Sequence, residues 1–349
     1  MIDGILKSLS RSLASGRGTV CAARFERAHK CRFPSPRRRT GVGDERDHSK
    51  PLPARNLTFA GSLGSVSSRA WLGVLTAFSL MSCLANPAHS QSAWTRNKNS
   101  GFARLGITTL NTSSFYTPMG KKINSASYND VTASFYGEYG ITNNLTSTLY
   151  FPFLRHHSLE TTNSVTGSGD AIVGFKYRFL RSATPVAVAV DFGVPTGEQH
   201  GLVAIRGVPD GSFRLPTGDG EFNTRVSLYA SRAFREGNTF LSGGGGYNFR
   251  TRGYTDEVSY FLNAGNHLFS GLWLSGTVMG LFPAQEPDIE RAVGFGVGEG
   301  VQYITAGGEI QYNFTSRSSV SFGYYRPLQG RNILAGGGFV FAVSREFGR

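Results

Sequence analysis

The histidines are the first residues to weigh, because imidazole carries much of the acid–base chemistry that proteins perform near neutral pH. After residue 90 the chain has four of them, His156, His157, His200 and His267. His200 follows closely on Glu198 and is the best placed of the four to act as a base, yet no Gly-x-Ser-x-Gly elbow accompanies it. We therefore predict that the protein is not an enzyme.

Metal and phosphate sites are also poorly supported by the residue pattern. The pair His156-His157 has no cluster of Cys, Asp or Glu at metal-ligand spacing, and all three cysteines of the chain precede residue 90. The glycine run from 294 to 300 superficially resembles a phosphate-binding loop, but it lacks the preceding strand and following helix that such a loop needs. The sequence predicts no cofactor and no metal.

A different group of side chains could act on solutes rather than on bonds. Its members are charged residues and tyrosines that alternate with apolar neighbours, so that they lie on the face opposite an apolar row. The group consists of Tyr136, Glu138, Tyr150, Asp170, Lys176, Arg178, Asp191, Glu221, Arg225, Tyr229 and Glu309. Two interpretations stay open: these residues line a polar path for amphipathic solutes, or they form a salt-bridge network that fills a narrow interior.

The elements that must position these side chains are β-strands. In the clearest segment, Val131 and Phe135 share one face and Thr132 and Tyr136 share the other. The same alternation recurs along 91–349 and predicts twelve strands, at 101–110, 129–141, 145–153, 170–180, 186–194, 221–234, 239–250, 257–265, 272–282, 299–314, 319–326 and 335–347. Because 101–110 and 221–234 alternate poorly, ten or fourteen strands remain alternatives.

The connections between these strands differ in length in a regular way. Short polar turns are predicted at 142–144, 181–184, 235–238, 266–271 and 315–318, and longer loops at 111–127, 155–168, 195–218, 283–298 and 327–334. Bacterial outer-membrane barrels combine short periplasmic turns with longer extracellular loops. The predicted fold is therefore all-β: a transmembrane antiparallel β-barrel of about 12 strands, whose last strand ends near an aromatic residue, Phe347.

The N-terminal part has a different composition. Up to Arg69 there are 14 basic and 5 acidic residues, so the net charge of +13 belongs mainly to this leader and does not indicate nucleic-acid binding. Residues 70–90 form an apolar run with small residues before Gln91, which predicts a secretory signal peptide. A lipidated Cys83 is the alternative. The predicted parts are a basic low-complexity leader at 1–69, a signal peptide at 70–90 and the barrel at 91–349. The leader is explained either by a start codon assigned too far upstream or by a segment removed with the signal.

Four segments resemble a known family. They are TGSGDAIVGFKYRFL at 166–180, PVAVAVDFGVPTG at 185–197, PTG at 216–218 and GGGFVFAVSREF at 336–347, and the chain is similar over nearly all of 101–347 to the MetA-pathway of phenol degradation family. This resemblance implies an outer-membrane β-barrel that passes small, aromatic molecules. The family supplies no catalytic residues to transfer.

Together these observations predict a channel or transporter in the outer membrane of a Gram-negative bacterium, for passive uptake of small hydrophobic or aromatic molecules. The expected partners are outer-membrane lipid and lipopolysaccharide, the barrel assembly machinery and a small-molecule solute, with no nucleic acid. The alternatives are a structural or adhesion barrel without transport and, less favoured by the residues, an outer-membrane enzyme.

Overall fold

The structure is a computed structural model that describes residues 91–288, 292–294 and 297–348. The predicted leader at 1–69 and the signal peptide at 70–90, which includes Cys83, lie outside the described residues. Part of the glycine run at 294–300 does so as well.

Twelve antiparallel strands form a closed barrel, as the alternation predicted. They are β1 (Gly101–Tyr116), β2 (Lys122–Gly140), β3 (Leu145–Leu159), β4 (Ala171–Leu180), β5 (Val186–Val194), β6 (Asn223–Phe234), β7 (Thr239–Phe249), β8 (Glu257–Phe269), β9 (Leu272–Pro283), β10 (Gln302–Asn313), β11 (Ser318–Arg331) and β12 (Gly338–Phe347). Each strand pairs with the next, and β12 pairs with β1 from Gly101 opposite Phe347 to Thr109 opposite Phe339. Closure leaves no unpaired edge in the hydrocarbon layer.

The two faces of each strand differ in the way the alternation predicts. On β4 the apolar Val173 and Phe175 are exposed on the outer surface. Lys176, which follows Phe175 and faces the other way, is only 3% exposed. On β12, Phe341 and Val343 are exposed while Ala342 is buried. An apolar outer face is stable in lipid, so the polar residues of these strands are directed to the lumen.

The connections define two ends of the barrel, which we call the turn end and the loop end. The turn end carries the short connections at 141–144, 181–185, 235–238, 270–271 and 314–317. Longer connections at the loop end include 160–170, 195–222 and the described part of 284–301. Among the described residues no helix is long and apolar enough to cross a membrane.

Three predicted loops at the loop end are wrong. The predicted loop at 327–334 is almost entirely strand, because β11 continues to Arg331 and Ile333–Leu334 pairs with β1. Residues 111–127 are mostly strand, because β1 and β2 extend to Tyr116 and Lys122 and pair almost throughout, and the connection is only 117–121. Within 155–168, β3 continues to Leu159 and pairs with the short strand Ser164–Gly167. The segments 111–127 and 155–168 are rich in Ser, Thr and Asn, and main-chain pairing does not need an apolar row once a strand has left the lipid.

Two apolar clusters fill parts of the interior. At the loop end, a short hairpin of Leu202–Ala204 and Ser212–Arg214 belongs to the connection 195–222. Residues from this connection, Val203 and Leu215, pack with Leu110, Tyr128 and Leu334. The other cluster contains inward aromatic residues such as Tyr229, Phe261 and Tyr325. Its packing needs Gly244, because a Cβ atom there would lie 2.4 Å from the Leu228 carbonyl oxygen and 2.9 Å from the Phe261 ring.

Candidate solute site in the barrel lumen

The side chains that the sequence proposed for the lumen all lie on the inner side of the wall or in the connections that fold over it. Of the eleven, six are buried: Tyr136, Glu138, Lys176, Glu221, Tyr229 and Glu309. Tyr150, Asp170, Arg178, Asp191 and Arg225 are half-buried. The structure divides them among five places and does not assemble them into one continuous row. Four of these places are described first, from the turn end to the loop end, and the fifth, which contains Glu309, follows.

At the turn end, Glu138 is the centre of a compact ion-pair network. Its carboxylate accepts hydrogen bonds from the Tyr136 hydroxyl at 2.8 Å and from the Arg96 Nε at 2.6 Å, and the Lys176 Nζ lies 3.4 Å from its Oε1. Arg178 donates to the carbonyl oxygen of Asn143 in the adjacent turn at 2.9 Å. Lys176 and Arg178 are therefore held in place by Glu138 in the barrel wall and by Asn143 in the turn.

Halfway along the barrel, Asp191 lies opposite Arg225 in the register of β5 and β6. With Tyr150, Lys176 and Tyr229 these residues line a cavity of about 40 Å³. A space of that size holds about one ordered water molecule and no organic solute. This level of the lumen is polar but nearly filled.

At the loop end, Asp170 holds a loop together. Its Oδ1 accepts a hydrogen bond from the Gly197 N–H at 2.9 Å, and its Oδ2 accepts one from the Asp219 N–H at 2.6 Å. These two donors lie near the two ends of the connection 195–222. Arg155 adds a hydrogen bond from its NH1 to the Thr217 carbonyl oxygen at 3.1 Å. Asp170 thus fixes both ends of this connection to the barrel.

Glu221 belongs to a cluster of carboxylates around Arg250, which we call the Arg250 cluster. The Arg250 guanidinium donates through Nε to Glu221 at 3.0 Å and through NH1 to Glu257 at 2.8 Å, and its NH2 lies 3.4 Å from Asp219. The carboxylate of Glu299 accepts from the Thr255 N–H nearby. Burial raises the pKa of Asp219 to about 7, against the opposing effect of Arg250.

Residues 91–96 run inside the barrel, a placement that the sequence did not indicate. Ala93 is fully buried, and its N–H donates to the Ser231 Oγ at 2.8 Å. The Trp94 ring packs edge-on against Phe240, with 6.1 Å between ring centroids. Arg96 joins the segment to Glu138. We call residues 91–96 the inner segment.

Next to the inner segment is a cavity of about 250 Å³, which we call the aromatic cavity. Six aromatic side chains line it, those of Trp94, Phe102, Tyr136, Phe240, Phe261 and Tyr325. Its polar lining includes Asn263, Thr277, Gln311 and a bidentate ion pair, in which Arg104 NH1 and NH2 each lie 3.0 Å from an oxygen of Glu309. A cavity of about 150 Å³ holds benzene, so this one has room for a single-ring solute.

Of the lining of the aromatic cavity, the sequence proposed only Tyr136 and Glu309. Arg104 was missed because 101–110 alternates poorly, so its inward face was not recognised. The other lining residues are uncharged and carry no distinguishing signal. The alternation of β8 and β9 could have shown that Asn263 and Thr277 share the inner face with Phe261 and Met279, but not that they meet Arg104.

The histidines occupy structural positions. His156 and His157 lie in β3 and not in a loop as predicted, and they face opposite sides of the wall: His156 is exposed, and His157 is buried with its Nδ1 2.7 Å from the Tyr128 hydroxyl. The contact between His200 and Glu198 is a main-chain N–H donating to the carboxylate at 2.9 Å. Within the described ranges, no group of three or more His, Cys, Asp or Glu residues could hold a metal ion.

Comparison with known proteins identifies the fold but not a family. No family model matches the chain, and no curated protein matches it. A crystal structure of an outer membrane channel from Pseudomonas putida F1 superposes with a TM-score of 0.54 at 14% identity, covering 73% of this chain and 98% of that one. At this identity the likeness shows a shared barrel fold. The resemblance to the MetA-pathway family stays a hypothesis.

Two further solved structures are more distant. The translocator domain of the autotransporter NalP from Neisseria meningitidis has a TM-score of 0.43 at 9% identity, covering 73% of this chain and 90% of that one. The toluene transporter TodX of P. putida has a TM-score of 0.38 at 10% identity, covering 74% of this chain and 92% of that one.

Proposed function

We propose that this protein is a passive channel of the Gram-negative outer membrane that admits small hydrophobic or aromatic molecules. The aromatic cavity carries the proposal, because it offers about 250 Å³ of space lined by aromatic rings inside a closed, lipid-facing barrel. The P. putida F1 structure is of an outer membrane channel, and its shared fold supports the same role here. In this orientation the turn end faces the periplasm and the loop end faces outside.

The partners follow from this location. The exposed apolar rows, such as Val173 and Phe175 on β4, contact the hydrocarbon of the membrane, and the outer leaflet supplies lipopolysaccharide around the loop end. We propose that β12, which closes the barrel and presents Phe341, Val343 and Phe347 outward, is the strand read by the assembly machinery.

A structural or adhesion barrel is the second candidate, and one observation favours it. The loop end of the lumen is filled by the Arg250 cluster and by the connection 195–222, so a solute that enters from outside must displace or pass beside these groups. A barrel without transport would be filled in the same way, since small barrels need packed interiors.

The test uses two substitutions on adjacent residues of β9. Ser275 lines the aromatic cavity, whereas Leu274 is exposed to lipid. The rate of uptake of a radiolabelled single-ring solute is measured in intact Gram-negative cells, because the lipopolysaccharide leaflet, unlike a phospholipid bilayer, resists such molecules. We expect Ser275→Trp to remove at least half of the protein-dependent uptake and Leu274→Trp to retain it.

Both variants must first show heat-dependent gel migration, which reports a folded barrel. If cells with the wild-type protein take up solute no faster than cells without it, the channel function is wrong and the structural barrel is supported. If Ser275→Trp folds and transports normally, the solute does not pass through the aromatic cavity.

A further inference from the structure

The ion pair between Arg104 and Glu309 faces the aromatic cavity from within its lining. The Arg104 side chain is 21% exposed and that of Glu309 is 10% exposed, so part of each polar surface reaches the cavity space. Arg104 lies on β1 and Glu309 on β10, and the pair therefore joins two strands that are not neighbours in the barrel wall.

The contact between Arg104 and Glu309 does not use all of their hydrogen-bond donors and acceptors. A guanidinium has five N–H donors and a carboxylate has about four lone-pair sites. Among the described residues, the bidentate contact engages two donors of Arg104 and one site on each oxygen of Glu309, and the Tyr325 hydroxyl is a further hydrogen-bond partner of Glu309. Three donors of Arg104 and about one lone-pair site of Glu309 remain. A bound molecule can therefore accept a hydrogen bond from Arg104 and donate one to Glu309 at the same place.

The opposite charges of Arg104 and Glu309 discriminate against charged ligands of either sign. A carboxylate that approaches Arg104 also approaches Glu309, and an ammonium group that approaches Glu309 also approaches Arg104. Either ion meets one repulsive partner at close range, in a lumen where water screens charges less than in bulk solution. An uncharged hydroxyl or primary amide meets no repulsion and can satisfy both partners.

Ligands without any polar group meet a different penalty. A hydrocarbon that fills the cavity displaces water from Arg104, Glu309, Asn263 and Gln311 without replacing the hydrogen bonds. Polar groups that are left buried without partners are destabilising. The aromatic lining alone would accept a hydrocarbon, and the ion pair disfavours it.

We propose that the aromatic cavity selects uncharged single-ring molecules that carry a hydroxyl or primary amide group, and that Arg104 and Glu309 determine this specificity. The inference rests on the proposed function for its biological meaning, but it concerns binding at one site and is tested separately from transport.

The experiment is equilibrium binding by calorimetry with the purified, folded barrel at pH 7. Four probes share one ring: benzyl alcohol, toluene, benzoate and benzylamine. We expect benzyl alcohol to bind the wild-type protein most tightly, by about tenfold over each of the others, since one unsatisfied or repelled polar group is worth about that factor.

Two variants reverse the charge preference and so do not depend on a loss of binding. Glu309→Gln leaves Arg104 with its charge unopposed, and we expect its affinity for benzoate to rise about tenfold. Arg104→Gln leaves Glu309 unopposed, and we expect a rise of similar size for benzylamine. Glu346→Gln is the matched control, because that carboxylate pairs with Arg96 at 2.7 Å and does not line the cavity; it should leave all four affinities unchanged.

The inference is overturned if toluene binds the wild-type protein as tightly as benzyl alcohol, if none of the four probes binds, or if neither charge variant gains affinity for its ion. Selective binding of benzyl alcohol with no uptake in cells would leave the specificity intact and contradict only the channel function. Uptake without any preference among the probes would contradict only the specificity.

Discussion

The two ends of the lumen are filled by different means. At the loop end, the lumen contains the Arg250 cluster and the apolar residues of the connection 195–222, which pack against β1 and β2, and most of these side chains are buried. Towards the turn end, the inner segment lies beside a cavity of about 250 Å³. The same twelve strands surround both regions, so the wall does not cause the difference.

Connection length explains the contrast. The connection 195–222 is long enough to fold back over its end of the barrel and to bring Val203, Leu215, Asp219 and Glu221 into the interior. A turn such as 141–144 cannot reach the axis of the lumen. Among the described residues, only the inner segment enters from that end, and one extended chain does not fill the cross-section. A cavity therefore forms where the loops are too short to close it.

The strongest test of this contrast compares two arginines. In the Arg250 cluster, Arg250→Met removes the cation shared by Asp219, Glu221 and Glu257, and we expect the free energy of unfolding to fall by about 3–5 kcal/mol, as for other broken buried ion pairs. Arg104→Met should cost less, about 1–3 kcal/mol, because the adjacent cavity lets water reach Glu309.

Chemical unfolding of the purified barrel in detergent micelles, followed by far-ultraviolet circular dichroism, measures both losses. Arg252→Met is the control, since the Arg252 residue is exposed and its NH1 donates to Gln199 at 2.9 Å. Equal losses for Arg250→Met and Arg104→Met would show that the two ends are packed equally well and would remove the basis of the comparison.

The barrel could be predicted from the sequence because each strand carries its own signal. Alternation over a few residues places Phe175 outward and Lys176 inward without knowledge of any other strand. The signal failed where the strands leave the lipid, as in 111–127, because both faces are polar there. Strand number and facing are local properties, whereas strand ends depend on the membrane boundary.

The aromatic cavity could not be predicted in the same way. Arg104 and Glu309 are 205 residues apart in sequence, and their contact depends on the closure of the barrel and on the register of every strand between them. The inner segment gave no strand signal, since Gln91, Ala93 and Trp94 have neither a period nor a charge pattern. The position of these residues inside the barrel depends on the space that the folded wall leaves for them, which the local sequence does not indicate.

A smaller effect is expected from pH at the loop end. Because the pKa of Asp219 is raised to about 7 by burial, the folded state favours its protonated form. The stabilisation from this group is present below its usual pKa near 4 and is lost as pH rises through about 7. Since 30% of the Asp219 side chain is exposed, we expect the loss to be only about 1–2 kcal/mol.

Comparing the wild-type protein with Asp219→Asn separates the effect of Asp219 on stability from that of every other titratable group. Asparagine is uncharged at every pH, so the variant and the wild-type protein should be similarly stable at pH 5, and the variant should be the more stable at pH 8. Unfolding free energies at the two pH values provide the measurement. A constant difference between the two proteins would mean that Asp219 is ionised throughout, and that the Arg250 cluster does not bind a proton in this range.

The smallest change in the barrel wall, with a clear change in permeation, is expected from removal of part of the inner segment. A barrel refolded without residues 91–95 loses the hydrogen bond from the Ala93 N–H to Ser231 and the edge-on contact of the Trp94 ring with Phe240, each worth about 1 kcal/mol, while the strand ladder of the wall stays complete. Gln91 lines the aromatic cavity, the cavity of about 40 Å³ beside Asp191 and a second cavity of about 40 Å³ beside Ser227 and Met279. Its removal therefore joins spaces that are now separate. We expect single-channel conductance in planar bilayers to increase at least twofold, on the order of the added cross-section.

A barrel with 91–95 replaced by glycine and serine controls for chain length, and its conductance should lie between those of the wild-type protein and the shortened barrel. If all three proteins conduct equally, the turn end is no more open than the loop end, and ions must be limited by the Arg250 cluster instead.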